Sequence, residues 1–185
     1  LMVGKRGAVV AIEPETGEIL CMVSTPTYDP SLLVGRNRGA NYKALTRDPA
    51  HPLFDRALMT SYPPGSTFKP TQGLILLQEG IITTGTAYPC HHGYISGRLR
   101  VGCHSHASPL ALKPALQTSC NAFFCYGFKA MIDRRSKYGN SANAFEVWKK
   151  HLVSMGYGYR LGIDLPGESR GFIPNDRFYN KIYGK

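Results

Sequence analysis

Tyr62-Pro63-Pro64-Gly65-Ser66-Thr67-Phe68-Lys69-Pro70-Thr71-Gln72-Gly73-Leu74-Ile75-Leu76-Leu77 is the stretch on which the reading of this chain turns. Pro63, Pro64 and Gly65 cannot extend a helix backwards, so a helix begins here with Ser66 at or next to its N-cap. Free backbone N–H groups and the positive end of the helix dipole gather at such a point, and both stabilise an oxyanion. Lys69 lies three residues on, one helical turn away and on the same face, within reach of the Ser66 hydroxyl as its base. Pro70 falls in the first turn, where a missing N–H removes no intrahelical bond. The run Gly73 to Leu77 is apolar on all sides, which predicts a helix buried in a core. A lysine at the edge of that core loses its proton more readily and becomes a base near neutral pH. The stretch therefore points to a lysine-activated serine and acyl transfer, although Ser-x-x-Lys alone is also a common surface pairing of a cap with a solvated charge.

A second element supports the chemical reading. Ser119-Cys120-Asn121 follows an apolar helical stretch (Leu110, Leu112, Ala115, Leu116) and precedes another (Ala122, Phe123, Phe124, Tyr126, Phe128). It sits at a turn between two helices, which presents Ser119 and Asn121 to a cleft while Cys120 points away.

Working outward, residues 7–23 read as a β-hairpin with Pro14 and Gly17 in the turn, and alternation places Ile19, Cys21 and Val23 on one face. Residues 24–65 are proline-rich and read as loop, with a short helix near Tyr42 to Leu45. Helices are expected over 66–79, 109–118, 121–133 and 141–155. In the last of these Phe145, Trp148, Leu152 and Met155 form a core stripe, and Gly156 supplies the stop. Residues 157–185 carry turn signals at Pro166-Gly167, Gly171 and Pro174 and read as a connecting segment. Cys21 and Cys125, each among apolar neighbours, are assigned to the core.

At 185 residues and 43% hydrophobic content the chain is long enough for one domain with a real core. Lys and Arg number 22 against 12 Asp and Glu, a net charge of +10, which suits an anionic setting such as cell-wall polymer or phospholipid headgroups. The basic residues are scattered, and Arg134-Arg135 with Lys137 is too short a cluster to form a groove, so nucleic acid is not expected as a partner. No apolar run approaches the roughly 20 residues of a membrane helix.

Between the two serine elements lie Cys90-His91-His92 and Cys103-His104-Ser105-His106, in a stretch interrupted by Gly93, Gly97 and Gly102. Clustered Cys and His in a glycine-rich loop is a metal-ligand pattern. With Cys120 from the second turn, four soft ligands suit a tetrahedral structural zinc: Cys90, Cys103, His106 and Cys120, with His104 as the alternative to His106. Such a metal would tie the 90–106 loop to the back of the Ser119 turn and position Ser119 and Asn121. Two other readings stand beside it: solvated histidines, or a Cys90–Cys103 disulfide of the kind an extracytoplasmic protein permits. Five cysteines cannot all pair.

Together these motifs resemble the penicillin-binding protein transpeptidases, whose Ser-x-x-Lys and Ser-x-Asn elements match Ser66 to Lys69 and Ser119 to Asn121. The likeness extends to Gly7 through Ile12, Gly17 through Leu20, Ser24-Thr25-Pro26, Tyr28-Asp29-Pro30, Tyr62 to Pro70, Ser119 to Phe124 and Gly162 to Glu168, and is greatest for the penicillin-binding protein 2 branch, which serves rod-shape elongation. It implies an α+β fold of the penicillin-binding and serine β-lactamase type, here incomplete: the helical part and the N-terminal hairpin are present. The family's third element, a Lys-Thr-Gly or Lys-Ser-Gly triplet on a later strand, does not occur before Tyr183-Gly184-Lys185. Residues 1–185 therefore read as a fragment of a transpeptidase domain. Its N-terminal membrane anchor would be cut away, and the later strands would otherwise lie beside the N-terminal hairpin.

The resemblance also implies roles. Ser66 attacks the carbonyl between two terminal D-alanines of a peptidoglycan stem peptide, Lys69 takes its proton, and the Ser66 N–H forms half of the oxyanion hole. Ser119 relays a proton to the leaving amine, and Asn121 holds Lys69 and the substrate amide. β-Lactam antibiotics acylate the same serine, and no cofactor is required for the chemistry. Elongation-complex membrane proteins are the expected partners, through N-terminal regions absent here, at the periplasmic face of the inner membrane. The rival readings are a serine β-lactamase or β-lactam sensor, against which the 24–65 insert and Leu165-Pro166-Gly167-Glu168 argue, and a non-catalytic, zinc-stabilised scaffold.

Overall fold

The computed structural model describes residues 2–183. They cluster into two compact units, 2–62 with 159–171, and 63–158 with 172–183.

The first unit is built on an antiparallel hairpin of β1 (Gly7–Ile12) and β2 (Ile19–Thr25), with Val9 opposite Val23 and an irregularity between Ala11 and Ile12. The turn closes through Glu13 N–H to Glu18 O at 2.9 Å and Gly17 N–H to Glu13 O at 2.8 Å. Cys21 is exposed rather than part of a core, as are Val9, Val10, Ile12 and Leu20. Ile19, Cys21 and Val23 alternate along β2 as expected, but among the described residues this sheet has just two strands and neither face becomes a core.

Residues 24–65 hold more helix than their prolines suggested. A 3₁₀ turn at Pro30–Leu33 is capped by Asp29, whose carboxylate accepts from Ser31 N–H at 2.9 Å. Two helices follow, α1 (Arg38–Arg47) and α2 (Arg56–Met59). The Arg56 guanidinium donates to the carbonyls of Ala50, His51 and Phe54, so one side chain fixes the connecting loop. The segment 159–171 is irregular. Glu168 accepts from the N–H groups of Leu161 and Gly162 at 2.7 and 3.1 Å, and Ser169 N–H donates to Leu58 O.

The second unit contains the core. Its helices are α3 (Lys69–Gln78), α4 (Leu112–Gln117), α5 (Asn121–Ile132), α6 (Arg135–Tyr138), α7 (Ser141–Ser154) and α8 (Asp176–Tyr183), with a small hairpin of β3 (Gly93–Ser96) and β4 (Leu99–Gly102). Ile75 and Leu76 of α3, Ala115 of α4, and Ala122, Phe123 and Met131 of α5 are fully buried together. At roughly 1.5–3 kcal/mol for each large side chain, this cluster is the main source of cohesion. α3 and α5 approach closely because Gly127 has no Cβ: one built there would lie 2.5 Å from Leu76 Cδ1. Leu74 is 58% exposed, so α3 buries one side only, not its whole circumference. In α7, Leu152 is buried, while Met155 at the end of the expected stripe is exposed.

Trp148 packs edge-on against Phe68 and Phe128 and donates from Nε1 to Gln72 Oε1 at 2.7 Å, clamping the start of α3. At the other end of α3, Glu79 accepts from Lys137, the Tyr138 hydroxyl and His151 at 2.6–2.7 Å. Cys125 is half-buried at the core margin.

β3 and β4 replace the glycine-rich loop expected at 90–106. Gly97-Arg98 is a two-residue connection with Gly97 at φ +57°, and Tyr94 pairs with Val101. Tyr94 packs on Tyr126, which stacks with Tyr88, and Tyr88 meets Phe123. The hairpin is thereby seated on α5. The segment after residue 171, read as connecting, carries α8.

Candidate active site

Ser66 lies in a 3₁₀ turn, Gly65–Phe68, that runs directly into α3. Gly65 has φ +61°, a conformation costly for any other residue, which lets the chain turn from Pro63-Pro64 into the helix. As the second residue of the turn, Ser66 has an N–H with no intrahelical acceptor, and its side chain is exposed.

Ser119 is placed by the end of α4. Cys120 N–H donates to Ala115 O at 2.8 Å and Ser119 N–H to Leu116 O at 3.1 Å, the paired bonds of a Schellman motif, with Ser119 at the left-handed position (φ +54°). Glycine usually occupies that position. A serine there costs about 1–2 kcal/mol of backbone strain, and what it adds is the hydroxyl. Cys120 then turns inward, fully buried, and its sulfur accepts from Phe123 N–H to cap α5, so Asn121 opens the helix facing Lys69.

Four side chains that the sequence placed in two separate motifs meet at one nitrogen. Lys69 Nζ is 2.6 Å from Ser119 O, 2.6 Å from Asn121 Oδ1, 2.8 Å from Ser119 Oγ and 3.1 Å from Ser66 Oγ. Ser119 Oγ in turn lies 3.0 Å from Ser66 Oγ. The two carbonyl-type oxygens can only accept, so they take two of the lysine protons. The remaining tetrahedral direction serves the serine hydroxyls: the ammonium donates there, and the neutral amine accepts a hydroxyl proton there. Burial pushes the Lys69 pKa below the ordinary lysine range, against the opposing pull of the Cys103, Cys120 and Cys125 sulfurs. A depressed lysine pKa is the condition a base needs.

Asn121 is held on its other side too. Its Nδ2 donates to Gly102 O at 2.8 Å and its backbone N–H to Cys103 Sγ at 3.3 Å. Gly102 was read from sequence only as a glycine of the Cys/His stretch, not as a site residue. The hairpin pattern Tyr94-Ile95 and Leu99 to Val101 around Gly97 was the signal that could have found it.

Cys90, Cys103, His106 and Cys120 each offer one ligand atom, and these atoms all lie within 4.8 Å of one another. A tetrahedral zinc with Zn–S near 2.3 Å needs sulfurs about 3.8 Å apart, so the group fits a metal with a small contraction. His104 stands outside the cluster. His106 Nδ1 lies 2.7 Å from Ala107 O, which leaves Nε2, 3.2 Å from Cys103 Sγ, as the free ligand atom. The Ala107 carbonyl and Cys103 raise the His106 pKa. Burial works to raise the Cys103 thiol, but hydrogen bonds from His106, Asn121 N–H, Cys90 and Ala122 N–H bring it down to about 7. Burial pushes the Cys120 thiol up to about 11.

The family model described as "Penicillin binding protein transpeptidase domain" matches residues 7–184. A peptidoglycan D,D-transpeptidase MrdA of Acinetobacter baumannii is 34% identical over 180 residues, covering 94% of this chain and 25% of the relative. The solved complex between penicillin-binding protein 2 and MreC from Helicobacter pylori aligns with a TM-score of 0.81 and 27% identity, covering 100% of this chain and 32% of that one. A penicillin G acyl-enzyme complex of penicillin-binding protein A from M. tuberculosis aligns with a TM-score of 0.62 and 30% identity, covering 87% of this chain and 35% of that one. The chain thus spans about a quarter of the length of the curated relatives it matches.

Proposed function

Since the chain belongs to the penicillin-binding protein transpeptidase family, we propose that it carries the acylation half of a peptidoglycan D,D-transpeptidase that cross-links stem peptides through an acyl-serine. The observation that carries this reading is Lys69 Nζ, depressed in pKa and within hydrogen-bonding distance of Ser66 Oγ, Ser119 Oγ and Asn121 Oδ1. Neutral Lys69 takes the Ser66 proton as Oγ attacks the D-alanyl carbonyl. The developing oxyanion is met by the Ser66 N–H. The proton passes from Lys69 through Ser119, 2.8 Å from it, to the departing amine, and Asn121 keeps Lys69 in place throughout. An amine of a neighbouring stem peptide then attacks the acyl-serine along the reverse proton path.

In this reading β-lactams are competing acylating agents. The partners are envelope proteins of the elongation machinery, and the site works at the periplasmic face of the inner membrane. The likeness to a penicillin-binding protein 2 solved with MreC supports the partner class. Cys90, Cys103, His106 and Cys120 would hold a structural zinc. When bound, it supplies bracing of the Ser119–Asn121 turn and no chemistry.

The test is intact-mass measurement of the full-length protein after incubation with benzylpenicillin. One adduct of the antibiotic's whole mass, mapped to Ser66, persistent over hours and lost in Ser66→Ala, is expected. An adduct mapped to Ser119 or Ser61 overturns the assignment. Rapid hydrolysis of the adduct favours a β-lactamase instead.

A further inference from the structure

We propose that Cys90 and Cys103 form a reversible oxidative modification site that controls how Asn121 is held. The proposal rests on the reading of Asn121 as a holder of Lys69. Three sulfurs and an imidazole nitrogen lie within 4.8 Å of one another. Of the three thiols, Cys90 and Cys120 are buried while Cys103 is partly exposed, so an oxidant from solution meets Cys103 first. The Cys90 sulfur lies within 4.8 Å of the Cys103 sulfur, so a resolving thiol stands beside the sulfur that would be oxidised.

The step balances with a peroxide as the two-electron oxidant. Cys103 thiolate attacks the peroxide oxygen, the O–O bond breaks, Cys103 becomes a sulfenic acid, and the departing hydroxide takes up the proton that the thiol gave up and leaves as water. Cys90 sulfur then attacks the Cys103 sulfur, the S–O bond breaks, a second water leaves, and a Cys90–Cys103 disulfide forms. Two thiols are oxidised and one peroxide is reduced to two waters.

The consequence reaches the catalytic group through one residue. In the reduced state the Cys103 sulfur accepts Asn121 N–H at 3.3 Å while Asn121 Oδ1 accepts from Lys69 at 2.6 Å. A disulfide sulfur is a poor acceptor and is drawn toward Cys90, so Asn121 N–H loses its partner where Asn121 leads into α5. The disulfide also removes two of four metal ligands. Cys103 is thereby a positioning residue for Asn121, and oxidation loosens the lysine's holder without touching Ser66.

The experiment uses the full-length protein with Cys21→Ser, which removes an exposed thiol that belongs to the first unit and not to the cluster. Stoichiometric hydrogen peroxide is added to zinc-loaded protein, and four readouts are taken: disulfide mapping by mass spectrometry, released zinc by a chromogenic chelator, the Asn121 amide resonance, and the rate of fluorescent penicillin labelling. The expected result is a Cys90–Cys103 disulfide, loss of one zinc per chain, a shifted Asn121 amide, and labelling slowed at least tenfold, all restored by a thiol reductant. A sulfinic acid at Cys103 with no disulfide overturns the proposal, as does a disulfide that leaves the Asn121 amide and the labelling rate unchanged. If the reduced protein does not label at all, the reading of the catalytic function fails, and the disulfide map with the Asn121 amide still decides this one.

Discussion

Lys69 and Ser119 meet twice: the lysine Nζ lies 2.6 Å from the Ser119 carbonyl oxygen and 2.8 Å from its hydroxyl. The carbonyl contact fixes where the amine sits, and the hydroxyl contact gives its proton a route. One residue, held at a left-handed helix end, provides both.

The first prediction follows from the lysine's burial. Acylation requires neutral Lys69, so the labelling rate should rise with pH and level off at a midpoint below the ordinary lysine value of about 10.4. Second-order rates with benzylpenicillin across pH 6–11 check this. Lys69→Ala should lose roughly 10²- to 10⁴-fold and flatten that profile. A midpoint at or above the ordinary value would remove lysine as the base.

Ser119→Gly separates strain from chemistry. Glycine adopts φ +54° without penalty, so thermal melting should show a gain of about 1 kcal/mol while acylation falls. Ser119→Ala keeps the strain and loses the hydroxyl, and should show the activity loss without the gain. A destabilised Ser119→Gly would mean that the hydroxyl contributes more to folding than the strain costs.

Metal removal is the third. A protein purified without chelator should contain one zinc, and stripping it with a strong chelator should lower the melting temperature and slow acylation together. Absence of metal by elemental analysis, with full stability, would leave the three thiols and the His106 imidazole as a metal-free cluster.

Glu79 gives a pH effect on stability. Burial opposes its charge, but hydrogen bonds from Lys137, His151 and Tyr138 outweigh burial and lower its pKa from 4.5 to about 2. A depressed carboxylate stabilises the fold above its unfolded value, so this contribution is complete above pH 4.5 and is lost as pH falls toward 2. Urea unfolding at pH 7 and pH 3 should show a smaller difference in Glu79→Gln than in the parent. The substitution itself should cost about 1–3 kcal/mol at pH 7.

The fifth concerns β1 and β2. Among the described residues each has one hydrogen-bonded neighbour, and Val9, Val10 and Leu20 are exposed. An open, apolar edge recruits other chains. The 185-residue chain should therefore self-associate in sedimentation velocity, and Val10→Lys should reduce the association. A monodisperse parent at high concentration would contradict this.

What the sequence determined by itself was everything set within one helical turn or one strand pair. Ser66 and Lys69 share a face because three residues make one turn, and the helices read at 121–133 and 141–155, each one residue longer than observed, follow from periodicity and stops. The hairpin read at 7–23 follows from alternation around Gly17, and β2 continues two residues further to Thr25. Tertiary structure decided the rest. Alternation grouped Cys21 with Ile19 and Val23, but whether anything covers that face depends on chain remote in sequence, and Cys21 proved exposed. Ser119 and Asn121 reach Lys69 across about fifty residues only because Gly127 lets α5 close on Leu76 and because a Schellman turn forces Ser119 into a conformation its type does not favour. His106 joins the cysteines and His104 does not, a choice of loop direction set by the hairpin ending at Gly102 and by the bond from Cys103 N–H to His92 O. Local rules fix which atoms are available; which of them meet depends on packing between segments whose separation no local pattern encodes.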